Sequence, residues 1–376
     1  MAGIYLHIPF CKRRCAYCDF FSTTHHELIN EYVTALCHEL EMRKSYLEDA
    51  SIDTIYFGGG TPSLLNYKEL EKLFIYIYKV YKVNPQAEIT LEANPDDLTT
   101  DYINQLKNLP INRISIGIQT FNDERLRFLH RRHTSQQAIN AIKQCQDTGF
   151  SNISIDLIYG LPDSTLEDWN KDLQQALSLN PPHLSAYHLT YEKGTPIWKL
   201  REEKHLQEVK EETSDQMYDL LTKRMTDKGY IHYEISNFCL PGMHSRHNSN
   251  YWREVPYLGC GASAHSYNLF SRQWNIASLI DYIKGIQAGK PMFEREELNI
   301  YTRYNDRIVT SLRTLWGIPL DELKKVYGEE LFDYCIKTAT PYLNKGILSI
   351  SGNTLRFTEK GLFLSDGVMS DLLWIE

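Results

Sequence analysis

"GIYLHIPFCKRRCAYCDFF" (residues 3–21) joins a short alternating segment to a loop that holds three cysteines. Ile4, Leu6 and Ile8 alternate with Tyr5 and His7, the period of two expected of a half-buried strand. Cys11, Cys15 and Cys18 follow at once, within eight positions. Five more segments repeat the alternation: "DTIYFG" (53–58), "AEITLEA" (87–93), "RISIGIQ" (113–119), "NISIDLI" (152–158) and "HLSAYHL" (183–189). Between them the period is helical. Val33, Leu36, Cys37, Leu40 and Leu47 form one stripe, and Leu70, Leu73, Phe74, Ile77, Val80 and Tyr81 another. Strands alternating with helices imply parallel pairing through right-handed crossovers.

The two faces of these strands differ. Ile4, Leu6, Ile8, Ile55, Phe57, Ile89, Leu91, Ile114, Ile116, Ile118, Ile153, Ile155 and Leu157 make one apolar face. Tyr5, His7, Thr54, Tyr56, Thr90, Glu92, Ser115, Gln119, Ser154 and Asp156 make the other. A sheet covered by helices on both sides would be apolar on both faces. One apolar and one polar face predict a sheet curled so that the polar side lines a lumen, a partial or full (β/α) barrel. Chemistry in such folds gathers at the C-terminal strand ends. Those ends carry the cysteine loop, "GGGTP" (58–62), Glu92, Gln119, and Asp156 with "YGLP" (159–162).

The totals narrow the function class. The chain has 376 residues, 42% of them apolar, and a formal charge of −8. That charge argues against general affinity for nucleic acid, although "HRRH" (130–133) is locally basic. No run approaches the ~18 apolar residues of a membrane span, and no secretory pattern opens the chain. A cytoplasmic protein is expected. Five of eight cysteines (Cys37, Cys145, Cys239, Cys260, Cys335) are scattered and read as small apolar residues.

Three thiols in one loop admit two readings. Zinc would need a fourth ligand, for which Asp19 and His7 are the neighbours. An iron–sulfur cube held by three thiolates would keep one iron open. The CxxxCxxC spacing, with Tyr17 before the third cysteine, resembles the radical S-adenosylmethionine superfamily. That resemblance implies a partial (β/α)6 barrel over residues 1–235 and a 4Fe–4S cluster on Cys11, Cys15 and Cys18. S-adenosylmethionine would chelate the open iron and be cleaved to a 5′-deoxyadenosyl radical by one electron. "FGGGTP" (57–62) resembles the superfamily's strand-two motif, and by the same likeness Tyr5, Gly59, Gly60, Thr61, Glu92, Gln119, Arg131 and Asp156 contact the cofactor. Arg132 and Lys143 compete with Arg131 for the carboxylate.

"YLHIPFC" (5–11), "DLIYGLP" (156–162) and "LTYEKGTP" (189–196) resemble the group of oxygen-independent coproporphyrinogen III oxidases and their relatives. The oxidases read CxxxCxxCxC after a long leading segment; here Phe20 takes the fourth position and ten residues precede Cys11. Both features are similar to the HemW-type haem chaperones of that group. "HNSNYW" (247–252) resembles that branch's HNxxYW motif and implies haem ligation by His247, with Tyr251 and Trp252 flanking the macrocycle. His244, His265 and Cys260 are alternative ligands, and "YLGCGASAHS" (257–266) is expected to turn close to the same pocket. The branch implies haem transfer to acceptor proteins, membrane respiratory haem proteins among them, with peripheral membrane contact. A monomer or a homodimer is compatible with it. The alternative is propionate decarboxylation in porphyrin biosynthesis.

Residues 236–300 read as a linker carrying the HNSNYW region, and 301–376 as a smaller winged-helix-like domain. There "ILSISGNTLRFT" (347–358) predicts a hairpin turning at Gly352-Asn353, and Thr358 an N-cap for the helix that follows. Trp316 and Phe363 are expected in that domain's core.

Overall fold

The six alternating segments are six strands in the computed structural model, which describes residues 1–362 and 364–375. They are β1 (Ala2–Ile8), β2 (Ile52–Gly59), β3 (Val83–Ala93), β4 (Arg113–Gln119), β5 (Ile153–Tyr159) and β6 (His183–His188). Each pairs in parallel with the next, in chain order. Helices Ile29–Met42, Tyr67–Val80, Ser135–Asp147 and Leu166–Ser178 lie in the crossovers. Capping boxes at Asn66, Thr134 and Thr165 start three of them, each satisfying backbone donors that the first turn leaves free. The helix Tyr67–Val80 buries Leu70, Leu73, Phe74 and Ile77. The stripe expected to reach Leu47 ends its helix at Met42, and Leu47 is buried in the turns beyond.

The apolar strand face packs under these helices, where Ile4, Leu6, Ile8, Ile55, Phe57, Ile114, Ile116 and Ile155 are inaccessible to solvent. Each such side chain contributes roughly 1.5–3 kcal/mol relative to exposure. The other face lines a lumen: Tyr5 of β1, Tyr56 of β2, Glu92 of β3 and Tyr187 of β6 border one cavity. Residues from the first and sixth strands meet there because the sheet curls. β1 and β6 do not pair, so the (β/α)6 barrel is open.

Among the described residues the sheet has twelve strands. β7 (Ile231–Glu234) and β8 (Asn237–Cys239) form a hairpin antiparallel to β6. On the other edge β9 (Tyr257–Cys260) runs parallel to β1, followed by antiparallel β10 (His265–Tyr267), β11 (Ser271–Asn275) and β12 (Phe293–Glu297). Residues 236–300 are therefore not a linker, and the division at 235/236 cuts the β7–β8 hairpin. Their strands are three to five residues long, too short for a periodic signal.

A buried carboxylate ties this extension to the barrel. Glu39 accepts hydrogen bonds from Arg43 (3.2 Å), the Gly261 N–H (2.8 Å), Asn275 (2.7 Å) and Tyr282 (2.6 Å). Arg43 in turn donates to the Gly259 carbonyl and to Ser266.

The C-terminal domain runs helix Ile300–Leu312, β13 (Ile318–Pro319), helix Leu320–Asn344, β14 (Leu348–Ser351) and β15 (Thr354–Phe357). Gly328 (φ 83°) breaks the long helix into two, which gives the helix–strand–helix–helix–hairpin order of a winged helix. Its own core includes Tyr304, Ile308, Leu312, Leu331, Leu355 and Leu372. Gly352 and Asn353 both have positive φ (56° and 62°), as a type I′ turn demands. Thr358 Oγ1 accepts from the Gly361 N–H at 3.2 Å, the expected cap. Trp316 departs from expectation. It lies outside this core, half-buried against Tyr233 and His244 with the Arg253 guanidinium 3.9 Å from its ring centre, because the short β13 begins only after it. Phe363 lies outside the described residues. No helix among the described residues is long and apolar enough to cross a membrane.

Candidate functional site

The cysteine loop leaves β1 and is pinned by its backbone. The Cys11 N–H donates to the Thr23 carbonyl (2.8 Å) and the Ala16 N–H to that of Leu129 (3.0 Å). Cys11 is buried, while Cys15 and Cys18 are partly open. Thr61 Oγ1 donates to Cys11 Sγ and Arg131 Nη1 to Cys15 Sγ, both at 3.4 Å. Burial pushes the Cys18 thiol up to about 11 and raises Cys11 as well. A single zinc ion needs its donors around one centre. Among the described residues no three His, Cys, Asp or Glu side chains are so arranged. A cube takes one thiolate on each of three irons, so three thiols spread along a loop suit it.

The glycines of "FGGGTP" seat that loop. Gly59 has φ +108°, and a Cβ there would stand 2.6 Å from the His7 ring. A Cβ on Gly60 would meet the Pro9 and Phe10 backbone at 2.8–2.9 Å. The Gly59 N–H is already used, donating to Glu92 Oε2 at 3.2 Å.

Glu92 also accepts from the Tyr56 hydroxyl at 2.6 Å. Burial, with Asp156 adding to it, lifts the Glu92 carboxyl to about 7 against these hydrogen bonds and Arg113. Asp156 is raised by burial too, while Arg113 and its partners Ser115 (3.3 Å) and Ser185 oppose the shift. Arg113 is itself buried, and its charge opposes the upward shift of both carboxyls. Gln119 is held at φ 73° and packs over Gly117. Arg131 donates to Asn94 Oδ1 (2.7 Å), to the Gly117 carbonyl and to Cys15, while its buried Nε has no partner. An orphaned guanidinium donor beside the cysteine loop suits an incoming carboxylate. Arg132 is instead engaged by Asp96 and Asp97. The Tyr5 hydroxyl pairs with His7 Nδ1 at 3.1 Å.

Of these residues Tyr5, Gly59 and Glu92 border a cavity of about 700 Å³ that the HNSNYW helix also lines. That size lies within the 300–1,000 Å³ typical of ligand pockets. Tyr5, Gly59 and Glu92 line one side; His247, Asn248, Tyr251 and Trp252 line another; Asp19, Phe20 and Phe21 border it from the cysteine loop. Ser245 caps the short helix Arg246–Trp252, and Glu88 accepts the Arg246 and His247 N–H groups. His247 itself is 1% exposed. Its Nδ1 bonds Thr54 Oγ1 and its Nε2 the Tyr251 hydroxyl, each at 2.8 Å. Burial lowers its pKa to about 3, so the ring is neutral. The imidazole that the sequence singled out is held from both sides.

Residues 5–176 match the family model of the Radical SAM superfamily and residues 301–364 that of the HemN C-terminal domain. Heme chaperone HemW of Bacillus subtilis (strain 168) is 33% identical over 99% of this chain and 99% of its own length. The chain belongs to the HemW family of the radical SAM superfamily. Heme chaperone HemW of Lactococcus lactis is likewise 33% identical, over 98% of this chain and 96% of that one. Its namesake from Escherichia coli (strain K12) is 39% identical over 281 residues, 70% of this chain and 69% of that one. The solved structure of coproporphyrinogen III oxidase (HemN) from Escherichia coli, a radical SAM enzyme, superposes with a TM-score of 0.86 over 99% of this chain and 90% of that one. At 22% identity it shows a shared fold.

The strand-end cluster also has supports that the sequence did not single out. Tyr56 holds Glu92, Asn94 holds Arg131 and the charge of Arg113 acts on both carboxyls, and the sequence reading assigned these three no role in the site. Tyr56 was legible, since it stands on the polar strand face two residues before Gly58. Asn94 and Arg113 carry no local signal.

Proposed function

We propose that the protein is a haem carrier that holds a 4Fe–4S cluster on Cys11, Cys15 and Cys18, binds S-adenosylmethionine beside it, and delivers haem to acceptor proteins. One observation carries this reading. The strand-end residues Tyr5, Gly59 and Glu92 and the HNSNYW wall face the same cavity, which is rimmed by Phe20. When bound, the cluster supplies an open iron for the amino and carboxylate groups of S-adenosylmethionine. Glu92 and Asp156 would offer acceptors to hydroxyl and amino groups, Arg131 Nε would donate to the carboxylate, and Thr61, Gln119, Gly59 and Gly60 would supply the remaining contacts. Tyr251 and Trp252 offer flat apolar surface to a porphyrin. Haem chaperone relatives matching nearly end to end support the same reading.

Acceptors of the respiratory membrane, peripheral membrane contact, a cytoplasmic location and a monomer or homodimer belong to this proposal. The test is ferric haem titrated into the anaerobically reconstituted protein. We expect one haem per chain, and loss of iron and of its visible absorption in Cys11→Ser, Cys15→Ser and Cys18→Ser. The fold shared with coproporphyrinogen III oxidase favours a second reading, propionate decarboxylation. Anaerobic carbon dioxide release from coproporphyrinogen III, with no stoichiometric haem binding, would establish that one instead.

A further inference from the structure

Ligation of a haem iron by histidine needs an imidazole nitrogen with a free lone pair that faces the macrocycle. His247 offers neither nitrogen, since freeing Nε2 breaks a buried hydrogen bond to Tyr251 and turning the ring breaks another to Thr54. Of the alternatives left by the sequence, Cys260, the last residue of β9, is inaccessible to solvent. His244 is wedged between Tyr233 and Trp316 and is not part of the cavity wall. His265 differs from all of these. It is exposed, borders the cavity, and lies in β10, between β9 and β11. Trp274, its cross-strand partner, stacks against the ring at 6.0 Å and 25°. No hydrogen bond to either ring nitrogen is made among the described residues, and partial desolvation, with Arg272 adding to it, lowers its pKa.

The placement is built by the backbone. A Cβ on Gly259 would stand 1.9 Å from the His265 carbonyl, so only glycine lets β10 lie this close to β9. Alternation along β10 puts Ser266 into the Arg43 and Gly259 network and leaves His265 and Tyr267 facing the cavity.

We infer that His265, not His247, ligates the iron of a haem seated in this cavity, and that His247 is a positioning residue that fixes Tyr251. The inference rests on the haem-carrier reading above. Its test is ferric haem titrated into the reconstituted full chain, followed by visible absorption and by electron paramagnetic resonance of the haem iron. His265→Gly is expected to lose the histidine-ligated spectrum and about tenfold or more in affinity. Free imidazole should restore the spectrum, and His265→Cys should convert it to a thiolate-ligated one. His247→Ala should keep the histidine-ligated spectrum with weaker binding. An unchanged spectrum in His265→Gly, or loss of histidine ligation in His247→Ala with His265 intact, overturns the assignment and leaves the carrier reading standing. No stoichiometric binding in the wild type overturns both.

Discussion

Glu92 shows how one side chain's surroundings set its chemistry. With its carboxyl at about 7, the folded protein holds a proton there that the unfolded chain has already released above its ordinary value of 4.5. The folded state then binds more protons than the unfolded state between those values, so this group's contribution to stability falls as pH rises through the window. Glu92→Gln removes the titration. Urea unfolding at pH 5.5 and pH 8 should show wild type losing about 2 kcal/mol more than the variant over that interval. Gly59 is the other residue whose environment admits little change. Gly59→Ala meets both a φ of +108° and the His7 ring, and it should cost about 1–3 kcal/mol or more in urea unfolding. Cysteines, glycines and carboxylates were legible in the sequence because a period of two fixes which residues stand at strand ends. Arg131 was legible only through family resemblance, since it lies in a loop and its partners, Asn94 and a carbonyl, leave no pattern. The restraint on His247 was half legible: Tyr251 follows it by four on a helix, within reach of one face, whereas Thr54 is distant in sequence.

At the scale of elements, the six parallel strands and their helices were readable because each has a regular period, and three of the four crossover helices begin at a capping box. The strands of residues 236–300 were not. They are short, and β9 owes its place beside β1 to a neighbour about 250 residues away. What holds that extension is polar. Glu39, on the first helix, collects donors from the Gly259–Tyr282 region into one buried carboxylate. Glu39→Ala leaves Arg43 buried without its counter-charge and should cost about 3–5 kcal/mol in denaturant unfolding. Because β10 belongs to the same extension, that variant should also weaken haem binding, whereas Asn353→Gly in the remote hairpin should leave it unchanged. Gly keeps the positive φ that the turn requires.

For the whole molecule, histidines buried in their neutral form set the acid limit, and three of them are shifted furthest. His133 and His247 are lowered to about 3, mainly by burial, and burial lowers His183 well below its ordinary value. Each is neutral in the folded chain and becomes charged on unfolding below about pH 6.5, so stability falls as pH drops from there. The loss is about 2 kcal/mol per histidine at pH 5, against which Glu92 acts in the opposite sense. The urea midpoint should therefore fall between pH 7 and pH 5, and less steeply in His133→Gln. The pairing of β1 with β9 also sets a schedule. Parallel pairing between the first strand and one that begins at Tyr257 cannot form until most of the chain has been made. At ~5–20 residues per second, synthesis leaves the free edge of β1 open for roughly 12 to 50 s after the cysteine loop is made. During that interval β2 guards one side of the cysteine strand and nothing of this chain guards the other. A ribosome stalled before Tyr257 would therefore hold the three thiols beside an adhesive strand edge.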